Sequence, residues 1–238
     1  MQLGKDIVSN MFKGVEGKEV ALCFTHLHPD HTQAYPFFAP NYIPGTKMYL
    51  IGMEALNKDV GKVLKDVMLP PQFPIELKDL KSTKVVSIVK TGSSFKSLKE
   101  SMKVDVLQSF APSHPQQGCC YYRITDISSG KSVVCAWDLE SKAGGDKALI
   151  NFAKDCDLII HDTQYTDEEY SSDKMIVQGF GHSTYTMAID NAKQCNAKAL
   201  ACIHFNPNHD DNKLDTIYNS IRNDFNLFLA KEGFILDI

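Results

Sequence analysis

The sequence lacks the features that mark exported, membrane-anchored and disulfide-rich proteins. It contains no apolar run of about eighteen residues, and its start, MQLGKDIVSN, has no apolar core of a signal peptide. The seven cysteines are an odd number without a CxxC pair, so they fit neither a disulfide framework nor a zinc ribbon. We therefore expect a cytoplasmic protein with reduced thiols and no membrane partner.

The charge also lacks a long block of one sign. Twenty-five basic and 29 acidic residues give a net charge of −4, so a large field that attracts nucleic acid is not expected, and nucleic acid is the less favoured partner. The 238 residues fit one large domain or two small ones. Because we find no repeat, low-complexity tract or linker, we predict one α/β domain over residues 1–238.

The pattern of apolar residues predicts the order of helices and strands. Lys18 to Thr25 (KEVALCFT) is a nearly continuous apolar run, typical of a strand covered on both faces. The middle of the chain predicts a β meander, and the last third alternates between helix and strand patterns, as in α/β folds. Helices are predicted at 54–68, 146–155, 183–195 and 211–224, and strands at 18–25, 48–52, 84–90, 103–110, 119–125, 132–137, 157–161, 198–204 and 234–238.

Three histidines and an aspartate lie within six positions directly after the first predicted strand, in THLHPDH. Residues two apart on an extended segment face the same side, so His26 and His28 can reach a common point, and Asp30 and His31 can reach a nearby point from the following turn. This density of ligands indicates two adjacent metal ions, because imidazole with carboxylate suits zinc, and also manganese or iron. Such ions promote hydrolysis by lowering the pKa of water. The alternative is a solvated loop that is histidine-rich by chance.

Three further candidates lie at the ends of later predicted strands. His114 is in SHPQQG, Asp138 in VCAWDLE and His204 in ACIHF. The carboxyl ends of parallel strands are where α/β proteins gather the side chains of a site. Taken singly, a histidine or aspartate at a strand end is more often a hydrogen-bonded structural residue or a cap. The joint occurrence of these residues in this order favours a metal site.

With these residues in this order, the sequence resembles the metallo-β-lactamase fold hydrolases. THLHPDH is similar to the signature of that superfamily, and the three later candidates follow in the order and spacing of its further motifs. The resemblance runs from about residue 18 to the C-terminus. It implies an αββα sandwich with two divalent metal ions, zinc in first place and manganese or iron as alternatives. It further implies that one ion is bound by His26, His28 and His114, the other by Asp30, His31 and His204, and that Asp138 bridges both.

Three segments are similar to the phosphodiesterase branch of the superfamily: LIIHDTQYTDEEY at 158–170, GHST at 181–184 and IHFNPNHDD at 203–211. That branch includes tRNA 3′-processing endonucleases and cyclic-phosphate or cyclic-nucleotide phosphodiesterases. The resemblance implies that His182 contacts the scissile phosphate and protonates the leaving oxygen; the alternative is a histidine at a helix start without chemistry. Asp162 either fixes a ligating imidazole through a hydrogen bond or simply ends a strand. We assign neither His161 nor His209 to the metals.

The start of the chain differs from the family pattern. Members normally place several strands before the HxHxDH motif, whereas 25 residues precede His26 here. We therefore predict a sandwich that is incomplete at its N-terminal side. A second copy of the chain, another polypeptide or an upstream domain would complete that sheet, because exposed sheet edges favour aggregation.

These observations together predict a two-metal phosphodiester hydrolase. The preferred substrate is a small cyclic nucleotide or cyclic phosphate, because no long basic insertion that would hold tRNA is evident. Asp30 is expected to orient the attacking water as well as to bind metal, and His182 to act as the general acid. The alternatives are a tRNA 3′-end endonuclease, a lactone or thioester hydrolase, and a metal-containing binding domain without turnover.

Overall fold

The computed structural model describes residues 2–12, 19–97, 100–109, 118–142 and 144–238. The chain divides into two compact units, Met1–Lys90 and Thr91–Ile238, and each unit has its own apolar core. All seven cysteines lie in the described residues, where none of them forms a disulfide. Within those residues, no helix has both the length and the apolar character that a membrane span requires.

The first unit contains a parallel sheet in the strand order β1-β2-β3. Apolar side chains from β2 and α3, among them Met48, Leu50 and Leu64, form its core. Its strands and α-helices are α1 (Gln2–Phe12), β1 (Glu19–Cys23), α2 (Pro29–Thr32), β2 (Lys47–Gly52), α3 (Val60–Val67) and β3 (Thr83–Ile88), and short 3-10 helices occupy Tyr35–Phe37, Ala39–Tyr42 and Leu77–Asp79.

The prediction that the first strand is covered on both faces is wrong. Val20 is buried, whereas Ala21 and Cys23 are exposed. Within the described residues β1 pairs on one side only, with β2, so it is an edge strand and its alternate side chains face away from the core. A short apolar run does not distinguish a strand covered on both faces from such an edge strand.

The predicted helix 54–68 begins later than expected, at Val60. Leu56 and Asn57 have φ of +50° and +62°, and this left-handed pair of residues makes a turn that a helix cannot include. Asp59 then caps the helix by accepting a hydrogen bond from the backbone N–H of Lys62 at 2.9 Å. The apolar periodicity of the sequence extends past this cap, which explains the error.

The second unit contains a seven-stranded mixed sheet in the order β10-β9-β8-β7-β6-β5-β4. Strands β4 to β7 are antiparallel neighbours, and β7 to β10 are parallel, so the predicted meander from residue 103 onward and the α/β alternation that follows are confirmed. The strand predicted at 84–90 does not belong to this meander, because it is β3 of the parallel sheet in the first unit. The elements are β4 (Ser94–Ser97), β5 (Met102–Ser109), β6 (Cys119–Asp126), β7 (Ser132–Ala136), α4 (Lys147–Phe152), β8 (Leu158–Asp162), α5 (Asp167–Tyr170), α6 (Tyr185–Gln194), β9 (Ala199–Ile203), α7 (Asp211–Ile221) and β10 (Leu227–Leu229).

The predicted final strand at 234–238 is wrong, because the last strand is β10. Leu227 of β10 pairs with Leu200 of β9. After β10 a turn with Gly233 at φ +79° and a hydrogen bond from Phe234 N–H to the carbonyl of Lys231 redirects the chain. The apolar residues beyond this turn are exposed and join no strand.

The register of the parallel strands places their carboxyl ends level with one another. Ala136 of β7 pairs with His161 of β8, and Asp162 of β8 pairs with Ile203 of β9. Residues that follow these positions therefore emerge at one edge of the sheet.

Replacing Leu200 by alanine is expected to lower the free energy of unfolding of the second unit by about 2–5 kcal/mol. Leu200 lies on β9, is fully buried and belongs to the core of this unit, so the truncation leaves a cavity. Urea unfolding followed by circular dichroism measures the change. Leu236→Ala is the control: this leucine is exposed, and its loss should change the free energy by no more than about 0.5 kcal/mol. Equal effects of the two variants would contradict the core assignment.

Candidate functional site

The residues of THLHPDH form one group at the end of β1, called here the histidine group (His26, His28, Asp30 and His31). The backbone remains paired with β2 as far as Phe24, whose N–H donates to the carbonyl of Ile51 at 2.7 Å. The group therefore begins just past the carboxyl end of the strand. Pro29 then starts α2, a position that suits proline because a first-turn N–H has no helical partner.

The side chains of the histidine group lie close together. The ring of His26 is buried, and its centroid is 4.5 Å from that of His28 and 4.1 Å from that of His31. Nε2 of His31 is 3.2 Å from Oδ2 of Asp30. The first unit thus brings together all four residues that the sequence predicts in this segment.

A second group lies where three parallel strands of the second unit end, and we call it the strand-end group (Asp138, Asp162 and His204). Asp138 follows β7, Asp162 is the last residue of β8, and His204 follows β9. Nε2 of His204 is 3.4 Å from Oδ1 of Asp138, and its Nδ1 is 3.8 Å from Oδ2 of Asp162. Asp138 and Asp162 are buried, and His204 is partly exposed. The two residues predicted at these strand ends, Asp138 and His204, are therefore neighbours.

The backbone is unusual at both Asp138 and His204. Their φ values are +56° and +59°, in the left-handed region that residues other than glycine seldom adopt. Such conformations cost on the order of 1–3 kcal/mol and concentrate at functional sites, where the surrounding structure enforces them. The coincidence of this strain with two side chains of one group supports a functional role for the group.

Asp162 is surrounded by hydrogen-bond donors. Its carboxylate accepts from the backbone N–H groups of Gln164 at 3.1 Å, Ser183 at 3.2 Å and Leu139 at 3.4 Å. Nδ1 of His182 lies 2.7 Å from the same carboxylate. Because a carboxylate that receives backbone N–H groups acts as an acceptor, Nδ1 of His182 is the donor in this pair.

The environment of His182 favours its protonated form. Burial lowers the pKa of His182, but the hydrogen bond and the negative charge of Asp162 raise it, and the net pKa lies above its usual value. The ring stacks on that of His204, with centroids 4.7 Å apart and planes 12° from parallel. A histidine whose pKa is raised therefore lies next to a member of the strand-end group.

The donor sets of both groups fit divalent metal ions. Two ligand atoms bound to one tetrahedral zinc at about 2.0–2.1 Å lie about 3.4 Å apart. The pair Asp138–His204 has this separation, 3.4 Å, and the pair Asp30–His31 is close to it at 3.2 Å. In addition, Nδ1 of His204 is buried and makes no hydrogen bond within the described residues. Imidazole and carboxylate donors at these distances suit zinc, manganese or iron.

The other histidines have different surroundings. His114, predicted as a ligand, lies outside the described residues. His161 is fully buried; Nδ1 lies 2.7 Å from the carbonyl of Asp162, Nε2 lies 2.9 Å from the amide nitrogen of Asn191, and burial lowers its pKa. His209 pairs with Glu169 at 2.7 Å. His161 is thus a core residue held in one orientation.

The structure adds one residue that the sequence interpretation missed, Glu140. Its carboxylate accepts hydrogen bonds from the backbone N–H groups of Gly179 at 2.8 Å and Gly181 at 2.9 Å, and from the hydroxyl of Tyr170. Glu140 thereby connects the loop after β7 to the segment just before His182. No motif signals this role, because two of its partners are backbone groups and all of them lie far away in the chain.

The order of the motifs and the fold together define a metallo-β-lactamase fold protein. The sequence profile of the beta-lactamase superfamily domain matches residues 16–205. The chain belongs to this superfamily, and the predicted α/β fold of metallo-β-lactamase type is confirmed.

Relatives of known name are consistent with this membership. A ribonuclease Z of Sulfurisphaera tokodaii is 24% identical over 216 residues, which cover 79% of this chain and 70% of that protein. The structure is similar to the short form of human tRNase Z, with a TM-score of 0.57, 19% identity and coverage of 92% and 78% of the two chains. It is also similar to a diphosphatase of the PhnP family, with a TM-score of 0.64, 16% identity and coverage of 97% and 76%. At these identities the structural similarities concern the fold.

Proposed function

We propose that this protein is a two-metal phosphodiesterase that acts on a small cyclic nucleotide or cyclic phosphate. The observation that carries the proposal is the pair His182–Asp162 beside His204. A histidine that donates Nδ1–H to a carboxylate and has a raised pKa is suited to give a proton from Nε2 to a leaving oxygen. An alkoxide released from a phosphodiester needs such a proton, which favours phosphodiester over lactone hydrolysis.

The proposal treats residues 1–238 as one catalytic domain. When bound, two divalent ions, zinc in first place, would polarise the phosphate oxygens and lower the pKa of the attacking water. Asp30, whose carboxylate is largely exposed, would orient that water. The ligands, as the family resemblance assigns them, are His26, His28 and His114 for one ion, Asp30, His31 and His204 for the other, and Asp138 for both.

A second candidate function is endonucleolytic cleavage of RNA at the 3′ end of tRNA. It is favoured by the similarity to ribonuclease Z proteins, which extends over most of this chain. The small substrate is preferred because the net charge is −4 and no long basic insertion is evident, whereas binding to a polyanion is strengthened by lysine and arginine contacts.

A turnover screen of the metal-loaded protein decides between these functions. We expect hydrolysis of 2′,3′-cyclic or 3′,5′-cyclic nucleotides and of bis(p-nitrophenyl) phosphate, and no hydrolysis of a lactone. The control is the same protein after chelation, which should be inactive and should recover when zinc or manganese is restored. The screen includes a precursor tRNA whose products are sized on a gel.

Each other outcome of the screen points to a different function. Cleavage of the precursor tRNA with no turnover of the small diesters would replace the proposal by the RNA endonuclease. Turnover of the lactone alone would contradict phosphodiester chemistry. A protein that holds its metal ions and turns over none of these substrates would be a binding domain.

A further inference from the structure

A large aromatic side chain is exposed directly beside the proposed general acid. Phe180 stands between Gly179 and Gly181 and two residues before His182, and 51% of its surface is accessible to solvent. Single exposed apolar residues are common on protein surfaces, so exposure alone indicates nothing. What distinguishes Phe180 is the hydrogen-bonded backbone that carries its ring.

The backbone around Phe180 is fixed on both sides. Gly179 and Gly181 donate their N–H groups to the carboxylate of Glu140 at 2.8 Å and 2.9 Å, and the N–H of Phe180 donates to the carbonyl of Val177 at 3.0 Å. Both glycines have φ in the left-handed region, +85° and +91°, which they adopt at no steric cost. Three hydrogen bonds therefore hold a segment whose central side chain is left in solvent.

This arrangement is typical of a contact that is preorganised for a ligand. An aromatic ring on an ordered backbone loses little conformational entropy when a planar partner stacks on it, because only its two side-chain torsions remain free. Met175 and Ile176, five and four residues before Phe180 in the chain, are also apolar and exposed. A hydrogen-bonded loop that served only to hold His182 would not need a large apolar residue at its exposed centre.

We propose that Phe180 stacks on the nucleobase of the substrate and so makes the enzyme selective for nucleotide phosphodiesters. This inference rests on the proposed function and names the class of substrate. The Cα atoms of Phe180 and His182 are at most about 7.6 Å apart, since each step along the chain spans 3.8 Å. A nucleotide separates its base from its phosphate by a single ribose, so a phosphate next to His182 brings the base into the neighbourhood of residue 180. The stacking partner is any planar heteroaromatic base, because every base offers a π-face.

Two esters with the same leaving group test the proposal. Thymidine 5′-(p-nitrophenyl phosphate) carries a base, and methyl p-nitrophenyl phosphate does not, while both release p-nitrophenolate. Phe180→Ala is expected to lower kcat/KM for the thymidine ester about 5- to 150-fold, the range that loss of one base–aromatic stack produces, and to leave the methyl ester nearly unchanged. Phe180→Trp should retain the preference for the thymidine ester, and Phe180→Leu should lose most of it.

A matched control is available in Phe234, which is exposed to a similar extent, 56%, and is not near His182 in the sequence. Phe234→Ala should change neither ester. If Phe180→Ala lowers the rates for both esters equally, stacking on the base is disproved while phosphodiesterase activity stands. If the wild-type protein hydrolyses neither these esters nor a cyclic nucleotide, the proposed function fails.

A binding measurement tests the stacking independently of turnover. Calorimetry of the metal-loaded protein with AMP and with ribose 5-phosphate gives the ratio of their dissociation constants. The wild-type protein should bind AMP more tightly, and Phe180→Ala should reduce this ratio by a similar 5- to 150-fold. A ratio that is the same in both proteins would overturn the inference, whatever the activity screen shows.

Discussion

Replacing His182 by alanine is expected to lower kcat for a cyclic nucleotide about 10²–10⁴-fold, the usual contribution of a general acid. The reason is the proposed role of Nε2, which would give its proton to the leaving alkoxide while Nδ1 pairs with Asp162. Steady-state kinetics with metal-loaded protein measures the loss, and elemental analysis should show that the metal content is nearly unchanged. A His182→Ala protein that loses its metal ions would instead identify His182 as a ligand.

The dependence on the leaving group distinguishes proton donation from simple positioning. A p-nitrophenolate leaves without protonation, so His182→Ala should impair hydrolysis of bis(p-nitrophenyl) phosphate much less than that of a ribose alkoxide ester. Equal losses for the two substrates would show that His182 positions the phosphate and is not the acid.

The pair His209–Glu169 supplies the matched control for this experiment. Both pairs join a histidine nitrogen to a carboxylate oxygen at 2.7 Å, and the side chain of His209 is at least as buried as that of His182. His209, however, lies in the loop before α7. His209→Ala should lower stability, because the Glu169 carboxylate loses one of its hydrogen-bond partners. It should leave the ratio of rates for the two substrates as in the wild type.

Replacing Asp138 by asparagine is expected to reduce the content of both metal ions, from close to two per chain in the wild type. The proposed bridging carboxylate becomes a neutral amide of the same size, and asparagine tolerates the left-handed backbone that Asp138 adopts. Loss of a partner that only supports a ligand already costs about 10–100-fold in metal affinity, so loss of a ligand should cost more. Elemental analysis after loading with zinc and with manganese measures the effect.

The control for Asp138 is Asp157, at the opposite end of the same sheet. Its carboxylate accepts hydrogen bonds from the N–H of Ser132 at 2.8 Å and from Lys198 at 2.7 Å, and these lower its pKa. Asp157→Asn should weaken the fold without changing the metal content. Loss of one ion alone in Asp138→Asn would make Asp138 a ligand of a single ion, and metal-free wild-type protein after loading with each metal would contradict the whole ligand assignment.

The positions of most candidate residues were predictable because they depend on local rules. His26 and His28 follow an apolar strand at a spacing of two, and Asp138 and His204 follow strands that the alternation of helix and strand marks as parallel neighbours. A single register across β7, β8 and β9 then brings the later residues to one edge. The role of Asp162 towards His182 follows from the same register and from the short segment that leads to α6.

Features that depend on distant parts of the chain were not predictable. Two of the contacts of Glu140 are with the backbone N–H groups of Gly179 and Gly181, which carry no residue signature. The exposed face of β1 depends on which strands lie beside it. The last strand of the second sheet is Leu227–Leu229 because these residues pair with β9, and the apolar character of 234–238 does not decide it. An apolar pattern indicates which residues prefer burial, whereas the pairing of strands decides which of them are buried.

At Asp138 and His204, the backbone conformation and the proposed metal binding favour different residue types. Glycine would occupy these positions without steric conflict, yet it carries no atom that could bind a metal ion. Selection for stability alone would therefore move both positions towards glycine, and selection for turnover would keep the carboxylate and the imidazole. Under the proposed function, the folding stability given up at these two strand ends is a cost of the metal ligands that they carry.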